Sequence, residues 1–157
     1  MFLSLATWPE IDQRLKTGKR GIIIPIGSHE QHGPTGLIGT DALCPDVIAR
    51  EAEKQGDLLI APPFSIGMAQ HHMGFPGSMT LRPSTMIATI VDWTASLTRA
   101  GFDRLYWVNG HGGNELKPLV RELHADAKVF VAVCDWFRMG ADIITEIVEK
   151  PGEHADE

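Results

Sequence analysis

Apolar residues fall in two rhythms along this chain. Four short runs are nearly continuous: Gly21-Ile22-Ile23-Ile24-Pro25-Ile26-Gly27, Leu58-Leu59-Ile60-Ala61, Arg104-Leu105-Tyr106-Trp107-Val108-Asn109 and Val129-Phe130-Val131-Ala132-Val133-Cys134. Runs of this length predict strands buried on both faces. Pro25 has no N–H, so it belongs at an edge or an irregularity. Between the runs, apolar positions recur at helical spacing. Met86, Ile87, Ile90, Val91, Trp93 and Leu97 follow the opening Pro83-Ser84-Thr85 and predict a helix there. Residues 41–54, 114–126 (Leu116, Leu119, Val120, Leu123) and 143–148 show the same pattern. Strands alternating with helices imply βαβ units and hence an α/β fold in three layers, a mainly parallel sheet flanked by helices on both faces. Ligands in such folds collect beyond the carboxyl ends of the strands, so candidate chemistry should follow the apolar runs directly.

After the first run comes Ser28-His29-Glu30-Gln31-His32-Gly33-Pro34, and then Gly39-Thr40-Asp41. Glu30, His32 and Asp41 are three metal-capable side chains spread over a Gly/Pro-rich loop. Oxygen and imidazole donors without thiolates suit zinc, manganese or iron at a catalytic site. Glu-x-His alone is common, and the competing reading makes Thr40 or Asp41 a helix cap, with Glu30 and His32 solvated. After the third run comes Asn109-Gly110-His111-Gly112-Gly113-Asn114, where the glycines let a ligand approach the backbone closely while His111 offers an imidazole. A phosphate loop is the alternative here, but a G-x-G-x-x-G frame starting at Gly110 would end on Glu115.

Taken together, the stretch from Pro25 to Pro34, Gly39-Thr40-Asp41, His72-Met73-Gly74-Phe75-Pro76-Gly77-Ser78 and the His111 loop resemble the creatininase (creatinine amidohydrolase) family of binuclear metal hydrolases, in the right order. The resemblance runs from about Ile22 to Glu157. It implies two divalent cations (Zn2+, Mn2+ or both, with Fe2+ a third candidate), one held by Glu30 and His111, the other by His32, and both bridged by Asp41. It implies hydrolysis of a non-peptide C–N bond, such as a cyclic amide or formamide, by a hydroxide held on the cations. Members with Tyr-Glu after the motif histidine take a further carboxylate from that Glu. Here Gly112-Gly113 stands in its place, which points away from creatinine as the substrate. Relatives with the Gly-Gly form use a late His-Ala-Gly-Glu-like motif. His154-Ala155-Asp156-Glu157 looks like it, making Glu157 the fifth protein ligand and His154 the acid–base residue. Family members normally continue further, so the single domain of residues 1–157 resembles a member lacking its C-terminal third.

By the same resemblance the loop that follows His71 and His72 is a second substrate-side loop, in which His72 either positions the loop or contacts substrate, and Ser78 either hydrogen-bonds substrate or is a turn residue after Pro76-Gly77. Side chains of adjacent residues usually diverge, which argues against a primary metal role for His71 or His72. Trp136 falls at a strand end, where it serves either as an aromatic wall for substrate or as a core residue. His29 and His124 read as structural. The competing functional class is a non-catalytic metal-binding or assembly subunit with the same fold.

Composition narrows the partners. The 157 residues are 43% hydrophobic and 22% charged, as in one ordinary globular domain. A net charge of −6 has the wrong sign for a nucleic-acid binder. No apolar run approaches the ~18 residues of a membrane span, and the first residues carry no basic leader. Cys44 and Cys134 are not in a metal-type spacing and read as reduced residues of a cytoplasmic protein. The expected partner is a small-molecule amide substrate, in a homo-oligomer that the family resemblance makes a hexamer.

Overall fold

Ile22, Ile24 and Ile26 alternate along β1 (Gly21–Ile26) onto one face of a sheet, and all three are buried. A computed structural model describes residues 1–126, 129–139 and Ile143. It shows β1, β2 (Arg104–Asn109) and β3 (Phe130–Asp135) side by side in that order, all parallel. Register places Ile22 beside Leu105 and Val131, and Ile24 beside Trp107 and Val133. These apolar rows are the floor of the core. Asn109 and Asp135 continue the Ile26 row at its carboxyl end, where the surface turns polar.

Helices cover both faces. In chain order they are α1 (Trp8–Lys16), α2 (Thr40–Gln55), α3 (Pro83–Ala100) and α4 (Leu116–Asp126). Met86 and Ile90 of α3 and Leu116, Leu119 and Leu123 of α4 close the core over the sheet, with Ile11 and Leu15 of α1 at its margin. The packing residues of α2 are absent from that core. It lies across β1 and β2 through Ala42, Pro45 and Ala49, small or compact residues that let the helix approach the strands. The three-layer arrangement expected from the alternation of runs is therefore present.

The second apolar run departs from expectation. Residues 58–64 lie beside β1 on the side away from β2, but only as isolated bridges at Ile60 and Phe64. Pro62 and Pro63 supply no N–H to a ladder, and Pro25 opposite them supplies none either. The backbone instead pairs around them, with Phe64 N–H donating to the Pro25 carbonyl and Gly27 N–H to the Phe64 carbonyl. Pro25 thus sits at an irregularity.

This connectivity locates the crevice. From β1 the chain passes through α2 to residues 58–64 on one side, whereas from β2 it passes through α4 to β3 on the other. The connections diverge between β1 and β2, the switch point at which open α/β sheets bind ligands. Smaller departures concern helix ends. Helix α1 is not among the expected elements; its apolar positions are few, and it is opened by a Thr7–Glu10 capping box with Pro9 in its first turn. α4 starts at Leu116 rather than at Asn114, whose side chain is used elsewhere. The expected helix 143–148 lies outside the described residues except for Ile143.

Candidate metal centre

Two glycines decide how close α2 can come to the strand ends. A Cβ on Gly27, just past β1, or on Gly110, just past β2, would lie 2.1 Å from the Asp41 carbonyl oxygen. Only glycine admits that oxygen between the two loops. Pro45, four residues along the helix, has no N–H to bond this carbonyl, so the first turn of α2 is free to press into the crevice. The Asp41 side chain is carried with it. Helix α2 begins at Thr40 after Gly39 and has no side-chain cap, so the capping reading of Asp41 does not hold.

Asp41 faces two imidazoles. His32 Nε2 lies 3.0 Å from Oδ1, and His111 Nδ1 lies 2.9 Å from Oδ2. The second contact is close, but it lacks hydrogen-bond alignment, and among the described residues the buried Oδ2 has no hydrogen-bond partner. Glu30 Oε1 is 3.2 Å from the same His111 Nδ1, while Glu30 Oε2 is buried and unpartnered. The outer nitrogen of each ring is held by the backbone. His32 Nδ1 is 3.0 Å from the Glu30 carbonyl and His111 Nε2 is 2.8 Å from the Met68 carbonyl. A carbonyl can only accept, so each outer nitrogen carries the proton. In the neutral ring the inner nitrogen then turns its lone pair toward carboxylate oxygen. Lone pairs facing anions repel unless a cation or a proton stands between them. Outer N–H groups tied to carbonyls are also the usual support of metal-ligating histidines. These residues fit divalent cations on both sides of Asp41.

Without a cation the site recruits protons. Burial pushes His111 down, but Asp41 and Glu30 beside it outweigh burial and raise it to about 10. Asp41 shows the complement: burial raises it, yet His111 and His32 together hold it below its ordinary value. His72 is pushed below its ordinary value chiefly by burial, partly offset by Glu30.

The supports of His111 are residues whose role the sequence reading left unassigned. Asn109 accepts from the His111 N–H at 3.2 Å and donates to the His111 carbonyl and to Asp135 Oδ1, both at 2.9 Å. Asn114 donates to the Gly27 carbonyl at 3.0 Å and accepts from Met68 N–H at 3.1 Å, tying the three loops of the crevice together. Their signal was position alone: both flank a glycine run directly after a strand.

Among the other expected site residues, His72 is buried, with its ring near Glu30 and Gln31, and Ser78 is buried with an unpartnered hydroxyl. The rings of His71 and His72 do not diverge; their centroids are 4.0 Å apart, because both belong to a tight 3-10 turn. Glu30, His71 and His72 offer ligand atoms within 4.8 Å of one another, as do Glu30, His32 and Asp41. Trp136 follows β3 and is half-buried, with an unpartnered indole nitrogen. His29 donates from Nδ1 to the Ser65 carbonyl, the structural role expected of it. His154 and Glu157 lie outside the described residues.

Gly113 shapes the remaining space. A Cβ there would lie 2.4 Å from His111 Nε2, so no side chain at this position fits beside the ring as it stands. Next to it opens a cavity of about 310 Å3, lined mainly by apolar residues of α3 and α4, with Gln70, His71 and Glu115 among its polar members.

Comparison with known proteins places this geometry. The creatininase family profile, described as creatinine amidohydrolase, matches residues 4–157. The chain is 30% identical over 131 residues to 3-dehydro-scyllo-inosose hydrolase of Thermotoga maritima, covering 83% of this chain and 41% of that protein. It is 31% identical over 134 residues to the mycofactocin precursor peptide peptidase of Mycobacterium ulcerans, covering 78% and 49%. A mutant creatininase of Zn-Zn type superposes with a TM-score of 0.79 at 28% identity, over 95% of this chain and 64% of that one. A manganese creatininase superposes at 0.78 and 27%, over 91% and 62%. The chain spans less than half the length of these two curated relatives.

Proposed function

The chain belongs to the creatininase family, and from that premise we propose that it is a metal-dependent amidohydrolase that cleaves a non-peptide C–N bond of a small amide. The observation that carries this reading is Asp41, with one imidazole nitrogen at each carboxylate oxygen and each imidazole held from outside by a carbonyl. Glu30, Asp41 and His111 would hold one divalent cation; His32 and Asp41 would hold the other, completed by Glu157. When bound, such a pair supplies Lewis acidity for the amide carbonyl and a water acidic enough to attack it near neutral pH. Zinc and manganese both suit the donor set, and iron is a third candidate.

The chain's own residues do the rest. Asn109 and Asn114 hold the His111 loop against the ends of β1 and β2, and the Met68 carbonyl at Nε2 keeps the opposite ring nitrogen turned toward the carboxylates. His154 is assigned proton transfer to the leaving nitrogen. Ser78 and Trp136 are assigned to substrate, and the cavity beside Gly113 would take an apolar substituent. With Gly113 closed to a side chain beside His111, the site differs from a creatinine-specific one, and creatinine is not the substrate assigned. The two relatives, an inosose hydrolase and a peptide peptidase, show how widely substrates range around such sites. The same proposal takes residues 1–157 as a single domain, cytoplasmic and in a homo-oligomer that family resemblance makes a hexamer. No described helix is long and apolar enough to cross a membrane.

The test is metal counting on the purified chain, followed by a panel of cyclic amides, formamides and lactams with each metal. Two bound ions and chelator-sensitive hydrolysis are expected. Absence of bound zinc, manganese and iron would refute the reading. Two bound ions with no hydrolysis anywhere in the panel would favour the non-catalytic metal-binding alternative.

A further inference from the structure

Three of the described histidines place a ring nitrogen within 3.4 Å of the two acidic side chains of the crevice, and they are not wired alike. His32 and His111 give their outer N–H to backbone carbonyls and face the carboxylates with the other nitrogen. His72 is wired the opposite way. Its outer nitrogen, Nδ1, lies 3.0 Å from Nε2 of Gln31. That amide nitrogen can only donate. The amide cannot easily be reversed, because its oxygen already accepts from Gly33 N–H at 2.8 Å. Nδ1 of His72 therefore accepts, and in the neutral ring the proton sits on Nε2. This nitrogen is buried, has no hydrogen-bond partner among the described residues and lies 3.4 Å from Glu30 Oε1.

We infer that His72 is a positioning residue, locked by Gln31 as an N–H donor aimed at Glu30, and neither a cation ligand nor a substrate contact. Nearness alone would group His72 with Glu30 and His71 as a further cation site. The tautomer argues against it, because an imidazole nitrogen that carries a proton has no lone pair for a metal. A donor of this kind restrains the carboxylate that the proposed function gives to a cation, the supporting role that outer residues play at metal sites. The alternation Glu30-Gln31-His32 acquires a meaning: the two outer residues reach the cations, and the middle one sets the protonation of a ring 41 residues away. The inference rests on the metal-site reading only for the purpose of this positioning; the tautomer stands apart from it.

The experiment therefore has two arms. In the first, nitrogen NMR of histidine-labelled, metal-free protein assigns the His72 tautomer. Wild type is expected to carry the proton on Nε2, and Gln31→Glu, whose carboxylate accepts, to move it to Nδ1. A proton on Nδ1 in wild type overturns the inference. In the second arm, chelator competition and metal counting compare His72→Gln with His72→Phe. Gln places an amide N–H near the Nε2 position, so it should keep both ions within about threefold of wild-type affinity, whereas Phe should weaken binding about 10- to 100-fold. Loss of one ion in His72→Gln would make His72 a ligand; unchanged affinity in His72→Phe would make its role merely structural. Either result overturns the inference. If wild type binds no cation, the hydrolase reading and the positioning role fall together, while the first arm still decides the wiring of Gln31 and His72.

Discussion

The apolar layer between the sheet and α3/α4 and the polar crevice at the ends of β1 and β2 are buried alike, yet they are held by opposite means. Ile90 and Trp107 in the layer are 0% and 1% exposed; Glu30 and His111 in the crevice are 3% and 6% exposed. The layer is stable because apolar surface leaves water, a gain that needs no partner of fixed position. The crevice buries carboxylate oxygens and imidazole nitrogens, which cost free energy unless each finds a complementary charge. Among the described residues part of that complement is missing, as Glu30 Oε2 and Asp41 Oδ2 without hydrogen-bond partners show. An apolar core and a polar crevice that fits the proposed cations are thus built from one sheet, a division that follows from which end of each strand a residue occupies.

The largest expected effect strikes the crevice alone. Asp41→Asn removes the charge shared by both proposed cations while keeping the shape of the side chain. Cation affinity should fall by at least about 100-fold, beyond the usual loss from a merely supporting residue. Competition with a chelator, with ions counted per chain, measures it. Two ions retained at wild-type affinity would move the cations elsewhere and erase the contrast between the regions.

The layer answers to a different substitution. Ile90→Ala removes apolar contacts between α3 and the sheet and enlarges the cavity beside Gly113, and should cost about 2–5 kcal/mol of stability. Urea titration reads this directly. The folded fraction should still bind the same number of ions, because Ile90 is an apolar wall of that cavity and offers no ligand atom to Asp41, Glu30, His32 or His111. A fall in cation affinity parallel to the loss of stability would show that core and crevice are one cooperative unit.

The two regions also differ in how far they could be read from residues alone. β1 and β2 match their apolar runs, and β3 is displaced from its run by one residue; the expected burial on both faces does not hold for β2 and β3, whose Tyr106 and Phe130 are exposed apolar residues that kept the signal continuous. The run at 58–61 carries the same signal but forms only bridges, since the prolines that follow it interrupt the ladder. Helix α1 offers few apolar positions, Trp8, Ile11 and Leu15, and is set by its cap. In the crevice, Glu30, His32, Asp41 and His111 could be named because topology says where ligands gather. Gln31, Asn109 and Asn114 could not be given roles, because a polar clamp follows no period and its partner lies dozens of residues away. Gly27 and Gly110 were likewise visible as letters, but their purpose, to admit the Asp41 carbonyl, depends on a helix that arrives from elsewhere in the chain.

A surface ion cluster supplies the smallest effect and a control for both regions. Asp57, more than half exposed at its side chain, pairs with Lys19 and with Arg14. Hydrogen bonds from Lys19 first and Arg14 second hold its carboxyl at about 2, below the ordinary 3.8. A carboxyl lowered on folding adds stability that is complete above the unfolded value. That contribution fades as pH falls from the ordinary value toward about 2, where the folded protein also takes up the proton. Asp57→Asn should therefore melt slightly below wild type at neutral pH, and the two curves should converge in acid. Added salt should shrink the gap at neutral pH, because exposed pairs are screened. Cation affinity should not change, since Asp57 bonds only to residues remote from the crevice. A gap that persisted below about pH 2, or that salt left untouched, would mean that Asp57 acts through packing rather than charge. The surface would then resemble the apolar layer more than the crevice, and burial would no longer separate the places where charge matters from those where it does not.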